Sequence, residues 1–449
     1  MLESVLRALQ LPDLRRRILF TLWMLLIFRF IAHIPVPNID PSALASLQEA
    51  LANNQLAQLL NIFAGGALQN LSVAAMGVYP YITASIIIQL LAPLIPALEE
   101  MTKEGEQGRQ RMNRITFWTT VPLAYLQAYG QTLTLERSLA AGASLFRSPF
   151  DIFANFLPTF TVLTSMVAGT MLLVWLGEQI QERGIGNGIS VIIFAGIVSR
   201  LPSLIYQAIS SAQVGFDQVI GIIAFTLIAL LTIIGIVLVQ EGQRRIPVQY
   251  AKRVRGNRVY GGQSSHIPLK VNMAGMIPLI FAQSIIIFPG TIASYGCPTG
   301  QPEEGAGLLN KIACFTYTTF SPQYGRGTLV YSALLFLLVV GFTYFYTMVI
   351  FNQQNIPDSL QRNGGFIPGI RPGKRTEEYL TKVVYRITLV GAFFLGIVAI
   401  LPFLTQQITG VQIGLSATAL LIVVGVAVDT MRQLEAQLVM RNYEGFISR

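Results

Sequence analysis

About ten apolar windows, each long enough to cross a bilayer, follow one another along this chain. They lie at roughly 18–36, 78–95, 115–135, 153–176, 186–206, 217–240, 273–293, 328–351, 383–404 and 412–431, and most of the loops between them are short. The chain is 53% hydrophobic and 12% charged, with a mean hydropathy of +0.56. A soluble domain of 449 residues cannot bury that much apolar side chain, so the pattern predicts an all-α polytopic membrane protein. The first window has no small-residue cleavage site and exceeds the core of a signal peptide, so it is expected to stay in the chain.

One stretch departs from the simple spanning pattern. Asn61 to Pro96 reads NIFAGGALQNLSVAAMGVYPYITASIIIQLLAPLIP, two apolar pieces joined by a turn-prone break. As a helix, Ala67 to Met76 rises only about 15 Å, half the hydrocarbon thickness. Val78 to Ile95 is long enough to cross and starts at Tyr79-Pro80, where proline fits a first helical turn. Gly65, Gly66 and Gly77 bracket the short piece. A half-depth helix feeding a full one is stable only where protein surrounds the irregular backbone. The chain is therefore expected to enclose a path or cavity.

Charge gives the orientation. Of the 31 basic residues, 25 fall on one side: the segment before span one, the loops after spans two, four, six and eight, and the tail. Five fall on the other side, and Arg29 lies inside span one. Both termini are thus expected in the cytoplasm, with an even number of spans. The formal net charge of +9 belongs to that face. Two basic loops there are longer than topology needs and suggest a docking surface for an anionic partner.

Other segments carry weaker signals. Met1 to Asp13 reads as an amphipathic helix on the membrane, and Pro41 to Leu60 as a short external helix. Arg29 sits near the outer end of its span, where it can snorkel or pair with a backbone carbonyl. Glu99 to Arg114 reads as a charged loop and Thr132 to Arg147 as a hairpin-like piece. Gly184, Gly186 and Gly188 make GxGxG without a preceding strand, which suits close helix packing better than a nucleotide. Between Gln240 and Asn272, alternation in Ile246, Val248 and Tyr250, then Val254, and Arg258-Val259-Tyr260 after Gly256-Asn257, predicts a basic β-hairpin. Gly369 to Lys374 fails the phosphate-loop pattern, because the glycines are too close and Arg375 replaces Ser/Thr. What remains is a Pro/Gly-stiffened tip. Cys297 and Cys314 share an external loop, where a disulfide is permitted. There are two histidines, no metal-spaced cluster and no paired acids within a span, and Asp429 lies at the cytoplasmic edge of span ten. An enzyme is not expected, nor a catalytic, metal or cofactor site.

Six segments together resemble the SecY family, the central subunit of the bacterial Sec protein-conducting channel, or translocon. They are GVYPYITASIIIQLL (77–91), GRQRMNRIT (108–116), ERGIGNGISVIIFAGIV (182–198), GQRRIPVQYAKR (242–253), IPLKVNMAGMIPLIFA (267–282) and RNGGFIPGIRPGKRTEEYL (362–380). The resemblance covers nearly the whole chain and is weakest at the cysteine loop and the tail. It implies two pseudo-symmetric five-helix halves, 1–210 and 211–449, around an hourglass pore with a plug and a lateral gate. A ring of Ile82, Ile86, Ile189, Ile193, Ile280 and Ile422 would form the constriction. Such apolar, branched side chains shed ions yet conform around a passing chain. The plug would fall at about 64–76, including Gly65, Gly66, Ala67, Leu68, Asn70, Leu71 and Ser72. Ser85 and Gln89 on span two, with Gln283 and Ser284 on span seven, would line the lateral gate. The docking loops, about 241–272 and 352–378, would present Arg244, Arg245, Lys252, Arg253, Arg371, Lys374 and Arg375. Implied partners are SecE and SecG subunits, the SecA ATPase or the ribosome, signal peptides and nascent chains, and membrane lipids. The implied site is the bacterial plasma (inner) membrane, or an internal membrane such as a thylakoid.

The rival from another class is a secondary transporter with broken helices. It needs a polar or ionic site at mid-membrane, whereas here the candidate centre is isoleucine. A scaffold or insertase-like subunit without a pore would have no plug.

Overall fold

A computed structural model describes residues 11–41, 44, 46–47, 61, 64–138, 145–150, 154–203, 206, 216–250, 253–255, 258–260, 264–294, 308–320, 325–354, 356–362, 364–409 and 417–447. The expected helices at Met1–Asp13 and Pro41–Leu60 lie almost wholly outside these residues, as do Lys252 and Cys297.

In chain order the helices are α1 (Pro12–Ile31), α2 (Tyr79–Leu91), α3 (Pro96–Lys103), α4 (Glu106–Ser138), α5 (Phe156–Arg183), α6 (Gly188–Val198) and α7 (Phe216–Glu241). After four strands follow α8 (Ile277–Ser294), α9 (Leu308–Phe320), α10 (Gly325–Gln354), α11 (Ile356–Arg362), α12 (Lys374–Thr409) and α13 (Ala417–Ile447). Among the described residues, four runs are long and apolar enough to cross a membrane: α5, α7 from Ile223, α10–α11 from Leu329, and α12 as far as Thr405. A fifth is the pair α2 and α3, bent by 103° at Ala92–Ile95.

That bend corrects the expected span at 78–95. Helix α2 has 13 residues, and the chain turns where Pro93 and Pro96 remove backbone donors and disfavour helix before them. The charged segment 99–114 is helical, not a loop. It is rich in Glu, Gln, Arg and Met, all good helix formers, and Arg111 pairs with Glu104 at 3.2 Å. Where the hairpin was expected to start, at Thr132, the described residues are helical instead. Helix α4 continues to Ser138 because Thr132 and Leu135 carry its buried face past the span. Phe146 instead makes an isolated bridge to Ile39. Helix α9, in the cysteine loop, was not anticipated.

The sheet lies in the basic segment between α7 and α8. Strand β1 (Gln243–Tyr250) pairs antiparallel with β4 (Ser264–Lys270), while β2 (Arg253–Arg255) pairs with β3 (Arg258–Tyr260) beyond them. The expected hairpin is therefore present, in two tiers. On the other edge, β1 accepts β5 (Gly365–Phe366), with Gln249 opposite Phe366 and Tyr250 opposite Gly365. The two long basic loops thus form one body. Ile246 and Val248 point into a core completed by Leu269, Phe351, Leu360, Ile367 and Leu380.

Two larger cores lie among the helices. One gathers α1, α4, α5, α6 and segment 64–78. The other gathers α7, α8, α10, α12 and α13. Helices α8 and α13 serve both: Leu279 and Leu421 pack into the second core, while their neighbours Ile280 and Ile422 pack into the first.

Candidate functional site

Segment 64–78 is not the short helix that its length suggested. It is a chain of turns, closed by hydrogen bonds such as Ala67 N–H to Ala64 O at 3.2 Å, Leu71 to Leu68 at 3.0 Å and Ala75 to Ser72 at 2.8 Å. Four residues in left-handed conformation break any helix: Gly65, Gly66, Gly77 and Leu71, the last at φ +42°. The backbone polar groups still need partners in this enclosure. The Val36 N–H donates to Leu71 O and the Val73 N–H to Ile34 O, both at 2.9 Å, making a small bridge around Pro35 and Ser72. The Ser72 hydroxyl accepts from the Ala74 N–H at 3.2 Å. Arg29 donates to Gly65 O at 3.3 Å, the carbonyl pairing foreseen for an intramembrane arginine.

Against this coil stand the isoleucines. Ile193, Ile280 and Ile422 are buried in the same cluster as Ala64, Ala67, Leu68, Leu71, Ala74 and Val78, with Ile82 and Ile189 packed on its edge. Five of the six expected ring residues, from α2, α6, α8 and α13, therefore lie in or against one extended apolar cluster that also takes in the coil. Ile86 is buried too, one turn further along α2, but belongs to none of the buried clusters. Asp429 is exposed on α13 and takes no part.

Between α2 and α8 the contact is thin and partly polar. Gln89 donates to Ser85 at 3.0 Å, a pair made within α2. Ser284 donates to Ile280 O at 2.8 Å, and its side chain also hydrogen-bonds the Tyr79 hydroxyl across the gap. Gln283 is buried, and its Oε1 has no hydrogen-bond partner among the described residues. Tyr79 is the seam residue that the sequence reading missed. Its place at the start of α2, beside proline, drew attention to the turn alone.

On the body built around the sheet, Arg244 and Arg245 are exposed on β1, Arg371 is exposed at the tip before α12, and Lys374 and Arg375 are exposed in the first turn of α12. Arg253 lies on β2. The tip is stiffened from within: the Thr376 hydroxyl donates to Arg371 O at 3.0 Å, and the Thr376 N–H to Gly373 O at 2.9 Å. In the segment between α8 and α10, Cys314 is buried in α9 and disulfide-bonded. No group of His, Cys, Asp or Glu among the described residues is arranged to hold a metal.

Comparison with known proteins gives the family and the fold. The SecY family model matches residues 72–431. The protein translocase subunits SecY of Thermotoga maritima and Halalkalibacterium halodurans are 42% and 43% identical, each over all of this chain, covering 98% and 100% of their own lengths. Among solved structures, a protein conducting channel superposes with a TM-score of 0.63 at 18% identity, covering 95% of this chain and 93% of its own. A SecY channel, described by a plug domain that stabilises its closed state, gives 0.62 at 17%, covering 95% and 92%. Sec61 in the canine ribosome-channel complex gives 0.61 at 17%, covering 95% and 93%.

Proposed function

The chain belongs to the SecY family, and from that premise we propose how its residues divide the work of a protein-conducting channel. It is a ten-span membrane channel in two halves that passes unfolded secretory polypeptide across the bilayer and releases apolar segments sideways into lipid. Family membership decides against the broken-helix transporter.

The two halves are 1–210 and 211–449. Ile82, Ile86, Ile189, Ile193, Ile280 and Ile422 form the yielding constriction, and the coil at 64–78, with Gly65 to Ser72 at its centre, is the plug. The observation that supports this reading is that Ile193 of the first half and Ile280 and Ile422 of the second share one buried cluster with that coil. A ring of stiff apolar side chains, backed by an apolar coil, leaves no polar path for ions while the channel rests. The seam between α2 and α8, with Ser85, Gln89, Gln283 and Ser284, is the lateral gate. Its thin contact and one orphan amide oxygen make parting inexpensive compared with a packed apolar interface. The cytoplasmic body docks the energy source, a separate SecA ATPase or the ribosome, through Arg244, Arg245, Lys252, Arg253, Arg371, Lys374 and Arg375. SecE and SecG are the companion subunits. The host membrane is the bacterial plasma membrane, with both termini cytoplasmic. Outside it, Cys314 pairs with Cys297, the only other cysteine in the chain.

The test is cross-linking from a stalled secretory chain to single cysteines at Ile193→Cys, Ile280→Cys and Leu389→Cys, the last an exposed position on α12. Adducts at the first two and none at the third are expected. Adducts at Leu389→Cys alone would overturn the assignment of the path.

A further inference from the structure

Glycine inside a helix weakens it relative to alanine, so a mid-helix glycine calls for a packing reason. Gly169 lies near the middle of α5 and Gly196 near the end of α6. A Cβ on Gly169 would collide with the backbone carbonyl of Val73 in the coil. A Cβ on Gly196 would stand 2.5 Å from Gly65 Cα, and one on Gly65 would stand 2.9 Å from Gly196 Cα. Both contacts are backbone against backbone, so no flexible side chain can move aside to make room. On its third side the same coil is tied to α1: Arg29 holds Gly65 O, and Ile34 and Val36 bond to Val73 and Leu71. Arg200, on the turn after α6, runs alongside Gly66, its Cδ 3.2 Å from where a Cβ there would be.

We propose that Gly169 and Gly196 are seat residues that set the resting position of the coil, and that Arg29 is the latch holding its leading end. This inference rests on the coil being the movable plug. Two helix notches let the backbone of 64–78 settle flush on α5 and α6, one carbonyl and one Cα deep. Filling either notch with a methyl group leaves the helices intact and lifts the coil, because a short stretch of turns yields before two packed helices do. The resting state loses stability while the displaced state does not, so the equilibrium moves toward the unsealed channel. Arg29 acts from the side. Its guanidinium neutralises the partial charge of a carbonyl that the turn at Gly65-Gly66 leaves free of helical partners, and withdrawing it loosens the same end.

The experiment measures ion conductance of the assembled channel in planar bilayers for Gly169→Ala, Gly196→Ala, Arg29→Lys and Arg29→Gln. Each is made in the full chain and in one lacking Gly66 to Ala74. In the full chain each alanine variant is expected to raise open occupancy roughly tenfold. Arg29→Gln should follow with a smaller rise and Arg29→Lys with the least, since lysine keeps a donor. In the plug-deleted chain, which leaks already, the same substitutions should add nothing. A full-length alanine variant that stays as tight as the parent, beside a deletion that leaks, would overturn the seat. Alanine variants that increase leak equally in both backgrounds would also overturn it, by showing a helix-packing effect. A deletion that stays sealed would instead remove the plug reading beneath it.

Discussion

The coil at 64–78 and the sheet at 243–270 both interrupt a helical chain, one inside the helices and the other outside them. Inside, where water does not reach, the backbone is irregular, and its polar groups are satisfied piecemeal by turns, one short bridge and one arginine. Outside, the backbone is regular, with a ladder running unbroken from Gln243–Lys270 to Gln249–Ser264. The sheet buries one face and leaves Arg244 and Arg245 in solvent, whereas most of the coil is buried on every side. On the proposed reading, the difference follows from what each must do. A ladder joined to its own apolar core stays fixed and can take a load. A coil whose contacts are short and separate can leave its place one contact at a time.

Reversing a charge on the fixed body should produce the largest effect. Arg371→Glu alters an exposed side chain on a tip whose internal hydrogen bonds use backbone and Thr376, so folding should not change. Docking of an anionic partner face should fail, lowering export of a secretory substrate into vesicles by roughly a hundredfold. The thermal unfolding profile should overlay that of the parent. Normal export from this variant would remove the docking role from the tip.

Next comes a matched pair of cavities. Leu68→Ala in the coil and Ile246→Ala in β1 each delete a fully buried aliphatic side chain, and each should cost about 2–5 kcal/mol. The same loss should appear in different measurements. In the coil it weakens a seated element, so ion leak rises with little change in melting. In the sheet it weakens a fixed one, so protease sensitivity of the 243–270 region rises while the channel stays sealed. If both variants leaked alike, or both merely melted earlier, the contrast between a movable and a fixed interruption would be lost.

The two regions also differ in how far they can be read from the chain. Period-two alternation marked Ile246 and Val248 as one face of a strand, because a strand's facing depends on its own sequence. The addition of β5 was hidden: two residues, Gly365 and Phe366, carry no pattern, and their partners Tyr250 and Gln249 lie 115 and 117 residues earlier in sequence. In the coil the glycines announced a break, but not its form. That form is set by Ile34, Val36, Gly169 and Gly196, none of them near in sequence. The isoleucine centre was legible only through family resemblance. In composition Ile193 and Ile280 look like any packed isoleucine, and only the fold turns Ile280 toward one core and Leu279 toward the other. The bend after α2 was written in Pro93 and Pro96 yet outweighed by the apolar run around them.

The smallest effect belongs to the seam, the contact proposed as the lateral gate. Ser284→Ala removes the one hydroxyl that reaches Tyr79 across the gap between α2 and α8. A neutral hydrogen bond of this kind contributes about 1 kcal/mol net. Losing it should relax the demand on signal sequences about fivefold, measured as export of a substrate with a shortened apolar signal. Gln89→Leu should do less, because Gln89 bonds to Ser85 on its own helix and its loss frees nothing across the seam. Tyr79→Phe and Ser284→Ala should be less than additive when combined, since both remove the bond across the seam while Tyr79→Phe also gives up a bond to Thr83 on its own helix. If Gln89→Leu relaxed export more than Ser284→Ala, the force closing the seam would lie further toward the cytoplasm than Tyr79, and the gate would be held from that end.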